Sequence, residues 1–141
     1  MTEATPDLER HAMKMAKKKA ARDKIMATKT DKKGLIIVHT GKGKGKSSAA
    51  FGMIFRCIAH DMKCAVVQFI KGGMSTGERD LILSKFSDEC AFHTMGEGFT
   101  WETQDKSRDT EMAQAAWAKA KELILDETNT MVLLDEINIA I

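Results

Sequence analysis

Cysteine, long apolar runs and, ahead of Gly34, glycine and proline are scarce in this chain, and each scarcity excludes something. The three cysteines, Cys57, Cys64 and Cys90, are odd in number, sit within or beside apolar runs and form no C-x-x-C pair. Neither a disulfide framework nor a zinc site follows from them, and buried free thiols are expected. No apolar run approaches the length of a membrane span, and the opening MTEATPDLERHAMKMAKKKA offers no apolar signal region. The expectation is a cytoplasmic protein with no membrane association. Hydrophobic residues at 43% and charged residues at 30% exclude overall disorder, and 141 residues suffice for one domain with an ordinary small core.

The net charge of +2 conceals a division. Residues 1–33 carry ten Lys or Arg against five acids, a net +5, whereas residues 34–141 carry twelve against fifteen, a net −3. From Leu8 to about Ala27 there is no glycine or proline, and Ala, Met, Lys and Arg dominate, so this arm is expected to be a helix. Its apolar side is thin: Ala12, Met15 or Ala16, Ala20 and Met26 recur at near-helical spacing, enough to dock on a surface but not to form a core. A basic arm is compatible with nucleic acid, but a solvated helical face gives the same charge count and is preferred. Residues 28–33 form a polar linker.

The stretch GLIIVHTGKGKGKSSAAF, Gly34–Phe51, organises the remainder. Leu35–Val38 are apolar and mostly β-branched, which predicts a strand buried on both faces of a parallel sheet. Gly41, Gly43 and Gly45 allow a tight turn whose N–H groups converge on an anion, and the helix starting near Lys46 adds its N-terminal dipole. The phosphate-loop pattern G-x-x-x-x-G-K-[ST] ends on Gly45, Lys46 and Ser47, with Thr40 in place of the first glycine. Thr40, Gly41, Lys42, Gly43, Lys44, Gly45, Lys46, Ser47 and Ser48 are therefore the candidate nucleotide contacts. Lys46 serves as a point charge on phosphate oxygens and the Ser47 hydroxyl as a magnesium ligand. The alternative is a solvated basic turn, which the flanking apolar strand and helix disfavour.

Downstream, Ser48–His60 predicts a helix apolar on most sides, Asp61–Lys63 a turn, and Cys64–Ile70 a second buried strand. Lys71–Gly77 is a loop at that strand's C-terminal end, the edge where open α/β sheets bind ligands. Ser75 with Glu78 reads as a capping box for a helix over Thr76–Phe86, and Cys90–Met95 as a third strand. In GEGFTWETQ, Gly96–Gln104, two large aromatics, Phe99 and Trp101, stand in a glycine-bearing loop; by themselves they read as a core plug or a helix staple. Met112, Ala116, Trp117, Ala120, Leu123 and Ile124 recur at helical spacing and predict an amphipathic helix over 105–126 with Trp117 in the core. MVLLDE, Met131–Glu136, delivers Asp135 and Glu136 at a strand end in the Walker B manner, making Ser47, Asp135 and Glu136 the candidate magnesium residues.

With these motifs placed, the sequence resembles the P-loop type of cob(I)alamin, or corrinoid, adenosyltransferase. The resemblance rests on GLIIVHTGKGKGKSSAAFG, AVVQFIKGG with TGER, GEGFTWETQ and MVLLDEINIAI, and TGKGKGKS with its leading Thr is itself similar to that family. It implies an α/β, RecA-like P-loop fold, a mostly parallel sheet flanked by helices. The basic helical arm and linker span 1–33 and the nucleotide-binding domain 34–141, apparently truncated because the family continues through further helix and strand. It also implies transfer of the 5′-deoxyadenosyl group of ATP to the cobalt of a reduced corrinoid, with magnesium bound and triphosphate leaving. Lys46 would act catalytically, and Phe99 and Trp101 would lie against the corrinoid, excluding water and displacing its lower ligand. The resemblance further implies an electron-donating reductant such as a flavoprotein, a homodimer, and an N-terminal helix able to cover the corrinoid. Two alternatives use the same motifs: a RecA-like ATPase in which Glu136 activates water, and a truncated form that binds ATP or corrinoid without turnover.

Overall fold

The computed structural model describes residues 6–69, 75–94 and 106–140, with side-chain surroundings in the last segment described from residue 110. The chain divides into two compact units, Met1–Val38 and His39–Ile141. In the first, α1 (Pro6–Ala27) is the expected helix, 22 residues with Asp7 and Glu9 in its first turn and no buried residue. Acids at the N-terminus and Lys24 in the last turn complement the helix dipole.

The second unit contains α2 (Lys46–Ile58), β1 (Cys64–Gln68), α3 (Gly77–Lys85), β2 (Cys90–Thr94), α4 (Lys106–Leu125), β3 (Met131–Asp135) and a 3-10 turn over Ile137–Ile139. Among the described residues three strands form one parallel sheet in the order β2-β1-β3, so the first of them is central. β1 is buried at all five positions, as the unbroken run CAVVQ requires of a strand covered on both faces. On one face Cys64, Val66 and Cys90 pack with Phe51 and Ile54 of α2 and Ile82 of α3. On the other, Ala65, Val67 and Phe69 pack with Ala116, Ala120 and Leu123 of α4. Small residues on α4 let that helix approach the sheet closely. The chain moves from β1 to β2 in one direction and then back past β1 to β3; two right-handed crossovers running in opposite directions must lie on opposite faces, as α3 and α4 do.

Several expectations are corrected. Leu35–Val38 form no strand: their side chains are 50–91% exposed and the segment has no regular structure. Apolar, β-branched composition permits a strand, but a strand exists only where a ladder partner satisfies its backbone. α2 buries only Ala50, Phe51 and Ile54, a single face against the sheet, so it is not covered on most sides. Trp117 is 44% and Ile124 50% exposed, because the narrow stripe Ala116, Ala120, Leu123 meets the sheet and the flanking positions turn away from it. The cap of α3 is Thr76, whose hydroxyl accepts from the Arg79 amide at 3.4 Å, and Ser75 instead bonds Asp80. One residue of displacement matters here because only an extended Ncap residue, as Thr76 is at φ −118°, aims its side chain at the third amide of the helix.

Candidate active site

The three strands end together. Thr94, Gln68 and Asp135 are the last residues of β2, β1 and β3 and stand in one register row, Gln68 opposite both others. The strand order reverses between β1 and β3, and in open α/β sheets the crevice beyond the carboxyl ends at such a reversal is where ligands bind. Asp135 is 6% exposed and Gln68 is fully buried.

The glycine loop arrives at this same edge. Gly41, Gly43 and Gly45 have φ of 126°, 98° and 99°, the left-handed region that an L side chain resists. Alternation of these glycines with Lys42 and Lys44 turns the backbone concave, a nest of the kind that receives anions, and Gly45 leads directly into α2. The Gly45 carbonyl accepts from the Ala49 amide at 2.9 Å, the first turn of the helix. Lys46 Nζ donates to the loop's own carbonyls, Gly41 O at 2.9 Å and Gly43 O at 2.5 Å, which ties the ammonium to the loop. Lys46 is exposed and Ser47 half-buried.

Ser47 Oγ donates to Asp135 Oδ1 at 3.1 Å, across 88 residues of sequence, and Gln68 Nε2 donates to Asp135 Oδ2 at 3.0 Å. The phosphate-loop hydroxyl and the strand-end carboxylate, paired by sequence reasoning as magnesium residues, are thus in contact. Glu136 follows in left-handed backbone, φ 60° and ψ 24°, and begins the 3-10 turn. A non-glycine residue held there marks local strain at the site's rim. Among the described residues no group of three or more His, Cys, Asp or Glu gathers to hold a metal. The donor set instead fits magnesium, a hard cation that takes one or two protein oxygens together with phosphate oxygens and water.

Sequence reasoning missed Gln68, Thr94 and Arg79. Gln68 Oε1, Thr94 Oγ1 and Arg79 Nε are buried without a hydrogen-bond partner among the described residues. For Gln68 a signal existed: it is the one polar residue in CAVVQFI. Phe99 and Trp101 lie outside the described residues. Residues 32–141 match the family described as ATP:corrinoid adenosyltransferase BtuR/CobO/CobP, and residues 1–26 the one described as Cob(I)alamin adenosyltransferase N terminal.

The chain belongs to the ATP:corrinoid adenosyltransferase family.

It is 75% identical over 138 residues to a corrinoid adenosyltransferase of Sinorhizobium sp, covering 98% of this chain and 64% of that relative. Identity is 50% over 141 residues to the corrinoid adenosyltransferase of Pseudomonas aeruginosa, covering all of this chain and 69% of the relative. With that of Escherichia coli it is 42% over 129 residues, 92% of this chain and 64% of the relative. The chain therefore spans about two thirds of the length of the family members it matches. No helix among the described residues is long and apolar enough to cross a membrane.

Proposed function

We propose that this chain binds ATP with magnesium and transfers the 5′-deoxyadenosyl group to the cobalt of a reduced corrinoid, releasing triphosphate. The observation that carries the reading is the Ser47–Asp135 contact beside a glycine loop in left-handed backbone, within a chain of the corrinoid adenosyltransferase family. In the reaction the electron pair of Co(I) attacks C5′ of ATP. A cobalt–carbon bond forms, the C5′–oxygen bond breaks, and the bond's electrons leave with triphosphate. Charge accumulates on the leaving group, and preorganised donors aimed at that charge lower the barrier.

The chain's residues divide this work. Amides of 40–48 cradle the polyphosphate, and Lys46 exchanges the carbonyls of Gly41 and Gly43 for phosphate oxygens. Ser47 and Asp135 hold magnesium, with Glu136 beside them; the cation, when bound, neutralises charge on the departing triphosphate. Phe99 and Trp101 lie against the corrinoid, exclude water from cobalt and displace its lower ligand, which favours reduction to Co(I). The same reading takes 1–33 as the arm and 34–141 as the nucleotide domain. It has the chain working as a cytoplasmic homodimer supplied with electrons by a reductant such as a flavoprotein.

Product analysis tests this. ATP and pre-reduced corrinoid should yield triphosphate and adenosylcorrinoid, and Lys46→Ala should weaken ATP use before it weakens folding. Replacing Phe99 and Trp101 together by Ala should slow the reaction from Co(II) much more than from Co(I), with ATP affinity almost unchanged. ADP and phosphate produced without corrinoid would instead mark an ATPase, and ATP binding without products a non-catalytic form.

A further inference from the structure

The register row at the carboxyl edge holds more than the magnesium reading uses. Gln68 is fully buried at the end of the sheet's central strand, where an unpaired polar side chain is costly, yet half of its amide has no partner among the described residues. Its Nε2 is committed to Asp135 Oδ2, and its Oε1 meets no hydrogen-bond partner among those residues. On the next strand, at the paired position, Thr94 presents a buried hydroxyl that likewise has no partner among the described residues. Neighbouring strands lie about 4.8 Å apart, so an orphan acceptor and an orphan hydroxyl stand side by side on one sheet face. A hydroxyl rotates freely to donate or accept, which makes the two groups chemically complementary.

We propose that Gln68 is a positioning residue for the nucleotide-bound cation, acting through Asp135, and that Thr94 anchors its far end. A carboxylate has two oxygens and rotates about its own axis. With Gln68 Nε2 holding Oδ2, Oδ1 is kept facing Ser47, the orientation in which the hydroxyl and the carboxylate can share one cation. An amide suits this position because it donates to the carboxylate without adding charge, while its carbonyl remains free for the Thr94 hydroxyl. The row Thr94, Gln68, Asp135, Ser47 then transmits order from β2 to the cation site. Partners that orient a metal-ligating carboxylate typically change metal affinity about 10- to 100-fold when removed.

This inference rests on the magnesium–ATP reading, and the test separates the two. Mn2+ is titrated into the full chain saturated with ATP, and the protein-held Mn2+–ATP is followed by water-proton relaxation; ATP affinity in EDTA is measured beside it. Gln68→Met, which keeps the volume and removes both polar atoms, should weaken Mn2+ binding about 10- to 100-fold and leave ATP affinity in EDTA within about two-fold. Thr94→Val should give a smaller loss in the same direction, and the double variant should be no worse than Gln68→Met, because Thr94 acts through Gln68. Thr94→Val carries the readout if Gln68→Met fails to fold. Unaltered Mn2+ affinity in both single variants, or equal losses with metal and in EDTA, overturns the positioning role. Additive losses overturn the order of the row. Absence of any relaxation signal from the unsubstituted chain removes the magnesium–ATP reading and this inference with it.

Discussion

Replacing Gly45 by alanine adds one methyl group to empty space: a Cβ built there meets no atom within 4 Å. The perturbation is therefore purely one of backbone, since Gly45 holds φ 99° and ψ −2°. An L residue in left-handed backbone costs roughly 1–2 kcal/mol. That cost can surface in two ways. If the loop keeps its geometry, folding stability falls by about 1–2 kcal/mol, a drop in Tm on the order of 4 °C per kcal/mol for a domain of this size. If the loop relaxes to negative φ, the amides no longer converge and ATP must restore them, weakening its affinity by about 5- to 30-fold. The two losses should together account for the same 1–2 kcal/mol. Gly52, exposed in the body of α2 and also with nothing within 4 Å, is the internal control. There the same methyl should raise stability by about 0.8–1 kcal/mol, because alanine is the better helix former. Thermal melts and calorimetric ATP titration of both variants suffice. A Gly45→Ala protein that melts and binds ATP like its parent would refute the loop geometry, and so would equal behaviour of the two substitutions.

Two further predictions come from the core and the site's rim. Burial pushes the Cys64 thiol up to about 12, with Cys57 and Cys90 adding to the shift, and burial pushes Cys90 up to about 11. Both folded values exceed the unfolded one, so the stability these thiols contribute is fully present below about pH 9 and is lost progressively as pH rises through 11 to 12. Denaturant titrations at pH 8, 9 and 10 should show a decline that Cys64→Ala with Cys90→Ala flattens; a parent chain with no decline would contradict the burial. Glu136→Gly should raise Tm, since glycine adopts φ 60° without the roughly 1–2 kcal/mol cost, while lowering magnesium-dependent ATP use. Glu136→Ala should lower that use without the gain, and equal melting temperatures for Gly and Ala would show the strain to be absent.

Local chemistry made much of the second unit legible. The unbroken apolar run at Cys64–Gln68, the helical spacing of Ala116, Ala120 and Leu123, and alternating glycines around two lysines each encode a conformation within a few residues. The phosphate loop could be read because positive φ and converging amides are properties of the backbone itself. The contact between Ser47 and Asp135 was expected from motif pairing, but nothing near either residue in sequence creates it.

What the sequence alone determined, then, is the set of elements and the kinds of group at their ends. Tertiary structure decided which apolar segments find partners and which groups share an edge. Leu35–Val38 and Val66–Val67 are equally suited to a strand by composition, and only the second pair sits between two ladders. Trp117 and Ala116 are neighbours in sequence, yet a helix offers one narrow stripe to a sheet and the smaller side chain occupies it. Gln68 looks like a polar interruption until strand register sets it between Thr94 and Asp135. Register is fixed by hydrogen bonds and packing between segments tens of residues apart, and no local preference along the chain carries that information.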